Sequence, residues 1–81
     1  MKNNKEQKVI ICDIEIYFKM PNENGRYIRT VIEEKSLKRE FKNFDTCLSY
    51  VRKFYKEKYP LSHIDVYMQN EAFEEREYFD I

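Results

Sequence analysis

The sequence predicts a small α+β domain, in which an antiparallel three-stranded sheet of strand order 2-1-3 carries one amphipathic helix on one face. Two observations indicate this class. Apolar and polar residues alternate with a period of two in strand-length segments, and one stripe of apolar residues at helical spacing lies between the second and third of these segments. The topology is therefore ββαβ, with room for a short fourth strand. We expect residues 1–81 to form a single domain with a frayed terminus at residues 1–7.

The most regular alternation lies in the first predicted strand, residues 8–20. Its odd positions include the charged residues Asp13, Glu15 and Lys19. A period of two is typical of a strand with one buried face, so we expect this strand at the centre of the sheet with its even face beneath the helix. From residue 10 onward the even positions are all apolar: Ile10, Cys12, Ile14, Ile16, Phe18 and Met20.

The turn after this strand sets the register of a hairpin. A two-residue loop would place Ile16 opposite Glu33, whereas a three-residue loop over residues 23–25 places Ile16 opposite Ile32. A slip of one residue moves every side chain to the other face, so the apolar pattern favours the three-residue loop. Gly25 would then take the left-handed conformation of a bulged turn.

The remaining strands are less regular. The second strand is predicted over residues 26–34, and the charged residues 35–42 are either further edge strand or loop. The third strand is predicted over residues 61–69, antiparallel to the first and beside it. Residues 72–81 are predicted to be extended, with a helical turn or a docked tail as alternatives.

The helix is predicted over residues 45–58. Asp45 is a suitable N-cap because its carboxylate accepts hydrogen bonds from the N–H groups of the first turn. Pro60 ends the helix, since the residue before a proline avoids the α region. The apolar stripe consists of Cys47, Leu48, Val51, Phe54 and Tyr55.

Composition limits the chemistry of the chain. The formal net charge is zero, which gives no overall attraction to nucleic acid or to a membrane. One histidine and two cysteines are too few for a structural zinc site, and one glycine excludes glycine-rich phosphate loops. Cys12 and Cys47 are expected to be buried free thiols. We expect a cytoplasmic protein that is not an enzyme and holds no cofactor or metal.

The main functional hypothesis is a non-catalytic protein-binding module, in the style of an accessory or inhibitor protein of a bacterial phage or mobile element. Aromatic residues on an uncovered sheet face and an acidic C-terminal segment, residues 71–81, are the expected contacts, because tyrosine and phenylalanine are enriched in interface cores. Self-association through that face or a sheet edge is an alternative. The candidate residues are Tyr17, Tyr27, Val31, Tyr67, Phe73, Glu74, Glu75, Glu77, Tyr78, Phe79 and Asp80.

The second hypothesis is binding of single-stranded nucleic acid. Sheets whose exposed aromatic residues are flanked by basic ones stack single-stranded bases. The residues that match this pattern are Tyr17, Tyr27 and Tyr67 with Lys19, Arg26 and Arg29. The neutral net charge lacks the basic character that such proteins usually have.

Overall fold

The computed structural model describes residues 8–72 and 74–81, so the predicted frayed terminus at residues 1–7 lies outside the described part of the chain. The sheet has the strand order β2-β1-β3-β4, and each neighbouring pair is antiparallel. This confirms the α+β class, the order 2-1-3 and a fourth strand at the C-terminus. The elements are β1 (Lys8–Pro21), β2 (Tyr27–Phe41), α1 (Phe44–Val51) with a π-helical turn (Arg52–Lys56), β3 (His63–Asn70) and β4 (Arg76–Asp80).

The core lies between the helix and the even face of β1, as predicted. Ile16 at its centre is 0% exposed, and the thiols of Cys12 and Cys47 are free and fully buried. The hydrogen bond with Cys47, together with burial, raises the pKa of the Cys12 thiol. The other core residues are Ile10, Ile14, Phe41, Leu48, Val51, Ile64, Val66 and Met68.

The helix is shorter than the apolar stripe that it covers. The 13 residues of α1 and the π-helical turn rise about 20 Å, whereas Ile10 to Met20 spans about 34 Å. Strand β3 also covers only part of β1, because the first residue of β3, His63, pairs with Tyr17 and no residue of β3 lies beside β1 beyond that point. Residues 18–30 therefore form a two-stranded hairpin arm beyond the sheet, on which Met20 is 51% exposed.

The hairpin register agrees with the prediction near the turn and departs from it beyond Tyr17. Gly25 has a φ of 77°, as the three-residue loop requires. A β-bulge then shifts the register, so that Ile16 lies opposite Glu33 and not opposite Ile32. The physical reason is burial. The one-residue shift moves the side chains of β2 beyond the bulge to the other face, so that Leu37 lies opposite Cys12 and packs against the core. The charged residues 35–42 are thus mostly edge strand.

The helix begins two residues earlier than predicted. Asn43, and not Asp45, is the N-cap: its side-chain oxygen accepts a hydrogen bond of 2.9 Å from the backbone N–H of Thr46. The Thr46 hydroxyl accepts a hydrogen bond of 3.1 Å from the backbone N–H of Asn43 in return. This reciprocal pair of hydrogen bonds satisfies two backbone N–H donors. A helix that began at Asp45 would not include Asn43 and would therefore lack this capping box.

We expect Asn43→Ala to lower the free energy of unfolding by about 1 kcal/mol, the usual cost of losing an N-cap. Asp45→Ala is the matched comparison, because Asp45 lies within the first helical turn and contributes only through the helix dipole. Urea unfolding monitored by circular dichroism measures both. A larger loss for Asp45→Ala would contradict the assignment of the cap.

Candidate partner-binding site

The sheet face opposite the helix, here called the open face, carries a row of carboxylates that crosses all four strands. In register, Glu15 of β1 lies opposite Glu34 of β2 and Asp65 of β3, and Asp65 lies opposite Asp80 of β4. Directly paired residues share a face and neighbouring strands are about 4.8 Å apart. These four residues, called the acidic row, therefore bring four negative groups within a short distance.

Arg29, on the hairpin arm, binds to the middle of the acidic row. Its guanidinium forms ion pairs with Glu15 and Asp65 and lies 3.7 Å from the centroid of the Tyr17 ring. The hydrogen bonds to Glu15 and Asp65 raise the pKa of Arg29, which keeps its positive charge. The face thus already holds one guanidinium by carboxylates and an aromatic ring, a combination that suits arginine.

Two tyrosine hydroxyls donate hydrogen bonds to carboxylates of the acidic row. Tyr17 donates to Asp80 and Tyr78 donates to Asp65, both at 2.8 Å. Burial and the bond to Asp80 raise the pKa of Tyr17 to about 12, and the bond to Asp65 raises the pKa of Tyr78 to about 12. Both phenols therefore remain donors at neutral pH.

Asp65 is an ionised carboxylate at a buried position, only 4% exposed. Burial acts to raise its pKa, but the hydrogen bonds from Arg29 and Tyr78 outweigh burial, so that the pKa lies below the usual value of 3.8. A buried charge persists only where it is paired and hydrogen-bonded. The network around Asp65 therefore fixes the positions of Asp65 and Glu15 in the middle of the acidic row.

Beside the acidic row, the open face has exposed aromatic surface. Tyr67 and Tyr78 are each 52% exposed, and their ring centroids are 4.8 Å apart. Tyr67 also lines a depression of about 430 Å³ together with Asp13, Glu15 and Glu34. Carboxylates next to a tyrosine ring favour a cationic guest, such as an arginine or lysine side chain.

The structure brings together five of the residues that sequence analysis nominated as contacts: Tyr17, Val31, Tyr67, Tyr78 and Asp80 lie on the open face. Tyr17 is only 3% exposed, so it orders the network and offers little surface to a partner. That these residues bind a partner stays a prediction.

The remaining nominated residues lie elsewhere. Tyr27 lies on the hairpin arm, opposite Pro21, and Glu74 and Glu75 precede β4. Phe79 lies opposite Val66 and packs against the core, and Glu77 lies opposite Met68. The C-terminal segment thus extends the sheet at its edge and does not cover the open face. Phe73 lies outside the described residues.

Sequence reasoning missed Asp13, Glu15, Glu34 and Asp65 as members of the site. The available signal was the charge at odd positions of β1, Asp13 and Glu15, together with Asp65 at an outward position of β3. The register of four strands was needed to show that these charges form one row.

Several of the basic and aromatic residues proposed for nucleic-acid binding are engaged within the chain. Tyr17 is buried, and Arg29 is paired with Glu15 and Asp65. Lys19 lies opposite Arg29 on the arm, whereas the sheet beside it carries the acidic row. Phosphate groups would meet negative charge there.

Within residues 8–72 and 74–81, no group of three or more histidine, cysteine, aspartate or glutamate side chains is arranged to hold a metal ion. In the same part of the chain, no helix has the length and apolar character needed to cross a membrane. Comparisons with protein-family models, curated proteins and solved structures found no match.

Proposed function

We propose that this chain is a non-catalytic module that binds another protein, and that its open face holds a basic segment of that partner. The observation that carries the proposal is the binding of the Arg29 side chain. Its guanidinium forms ion pairs with Glu15 and Asp65 and lies over the ring of Tyr17. The adjacent depression supplies further carboxylates beside a tyrosine ring, because Asp13, Glu34 and Tyr67 line it together with one basic residue, Lys35.

Three features of the face favour a protein ligand. The carboxylates of Asp65 and Asp80 are held in one geometry by hydrogen bonds from tyrosine hydroxyls, which lowers the entropy that binding must remove. The exposed Tyr67 and Tyr78 rings supply apolar contact area beside the charges. The sign of the charge selects against nucleic acid and for arginine or lysine.

The proposal extends to an accessory or inhibitory role of the kind found in phages and mobile elements. A protein whose basic groove is covered by an acidic face no longer offers that groove to nucleic acid. This extension rests on the small size and composition of the chain together with the acidic row.

The test is binding of a fluorescently labelled eight-residue arginine- and lysine-rich peptide, measured by anisotropy at about 0.15 M salt. We expect the double variant Asp13→Asn/Glu34→Gln to weaken binding several-fold, up to about thirtyfold, because exposed ion pairs contribute up to about 1 kcal/mol each. Asp45→Asn/Glu57→Gln removes two exposed charges from the helical segment as a matched control, and its affinity should stay within about twofold of the original.

Equal loss in both double variants would mean that the peptide responds to overall charge and not to the open face, and the proposal would fail. A labelled single-stranded oligothymidylate serves as the competing probe. Tighter binding of that oligonucleotide than of the peptide would favour the nucleic-acid hypothesis.

A further inference from the structure

Strand β2 is an unusually long sheet edge. It has 15 residues, and among the described residues it pairs only with β1. Strands in globular proteins have about 5–6 residues, and an edge presents N–H and C=O groups to which another strand can bind. The opposite edge, β4, has only 5 residues. The edge of β2 is therefore the main backbone surface left for pairing.

The charges along this edge are self-complementary about one residue. Glu33 and Glu34 precede Ser36, and Lys38 and Arg39 follow it. Two identical antiparallel strands related by a two-fold axis place one residue opposite its own copy. With Ser36 on the axis, Glu34 faces Lys38 of the second copy and Glu33 faces Arg39, and each pair occurs twice.

Neighbouring registers lack this match. An axis at any of residues 33–35 places a charge opposite its own copy, and an axis at Leu37 places Lys35 opposite Arg39. Like charges directly opposite each other destabilise a pair of strands, whereas opposite charges stabilise it. Charges on an edge commonly prevent pairing, but here they permit one register and oppose the registers next to it.

The structure places the matching charges on matching faces. Glu34 and Lys38 are on the open face, opposite Glu15 and Ile11 of β1, whereas residues 33 and 39 point to the helix side. The β-bulge at Ile32 lies outside the segment 33–39, so it does not interrupt the matched region.

We propose that β2 pairs with β2 of a second copy of this chain, antiparallel and with Ser36 on the two-fold axis. The result is a continuous eight-stranded sheet. A two-fold axis perpendicular to the sheet keeps the same side of both copies together, so the two acidic rows lie on one surface. This inference does not depend on the proposed function, but it would give a partner with two basic segments an avidity advantage.

The first test is sedimentation velocity of the full chain over a range of concentrations. We expect a dimer, and Lys38→Glu should weaken it by at least about tenfold because it turns two matched pairs into like-charge pairs. Glu34→Lys should do the same, and the double variant Glu34→Lys/Lys38→Glu should restore the dimer. Lys53→Glu, on the helical segment, makes the same change in net charge and should leave the dimer intact.

The second test reads the register directly. Residues paired on the axis have Cα atoms about 4.5–5.5 Å apart, within the range that a disulfide bridges. Ser36→Cys should therefore form a disulfide-linked dimer in oxidised glutathione, whereas Ser49→Cys, exposed on α1, should not. A monomer at all concentrations, a dimer insensitive to Lys38→Glu, or equal cross-linking of both cysteine variants would overturn the proposal.

Discussion

Replacing Ile16 by alanine is expected to lower the free energy of unfolding by about 2–5 kcal/mol, the cost of deleting a large aliphatic side chain from a close-packed core. Ile16 is 0% exposed, and it lies on the central strand opposite Ile64 of β3. Domains have about 5–15 kcal/mol of stability in total, and small ones tend to lie near the lower end. The variant should therefore be close to unfolding at 37 °C.

Ile28→Ala is the matched control for this experiment. It deletes the same atoms at a position that is 51% exposed on the hairpin arm, so the expected loss is below about 1 kcal/mol. Urea unfolding followed by circular dichroism measures both variants. Equal losses at the two positions would contradict the assignment of the even face of β1 as the core.

Replacing Arg29 by methionine is expected to destabilise the fold in a pH-dependent way. The change leaves the buried carboxylate of Asp65 without its positive partner, and such an unpaired buried group costs roughly 1–3 kcal/mol. Because the folded-state pKa of Asp65 lies below its usual value of 3.8, the stability from this carboxylate is present above about pH 4 and is lost as the pH falls through the folded-state pKa.

The difference in unfolding free energy between the original chain and Arg29→Met should therefore be largest near pH 7 and should narrow as the pH falls toward the lowered folded-state pKa of Asp65, because protonation removes the negative charge that Arg29 pairs with. Unfolding in urea at pH 7 and pH 3 measures it. Arg26→Met, which removes an exposed arginine at the hairpin turn, should change stability by less than about 0.5 kcal/mol at both pH values. If the difference in unfolding free energy between Arg29→Met and the original chain were the same at pH 7 and pH 3, protonation of Asp65 would not be the cause of the lost stability.

Much of the fold was predictable because one strand dominates the burial pattern. The period of two from Ile10 to Met20 identifies both the central strand and its core face, and Gly25 identifies the turn. The β-bulge was not predictable from local pattern, because it depends on Leu37 reaching the core many residues away. The N-cap was missed since Asn43 and Asp45 are equally good caps by residue type.

The candidate site was less predictable than the fold. Each charge of the acidic row belongs to a different strand, so only the combined registers of four strands bring Glu34, Glu15, Asp65 and Asp80 into line. Sequence alone nominated Asp80 as a contact and marked the other three residues as ordinary polar positions. Tyr17 was nominated for its ring, yet its burial gives it a role in ordering the network.

The limited pairing of β3 along β1 has a consequence for local unfolding of the domain. Up to Tyr17, β1 has a hydrogen-bonded neighbour on each side, whereas in the arm it has only β2. A two-stranded ribbon has little stability of its own, and proteins open locally where few contacts hold the chain. Strand β1 therefore belongs to two cooperative units. Its inner half opens only when the whole domain unfolds, whereas the free energy of local opening of its outer half is far lower than that of global unfolding.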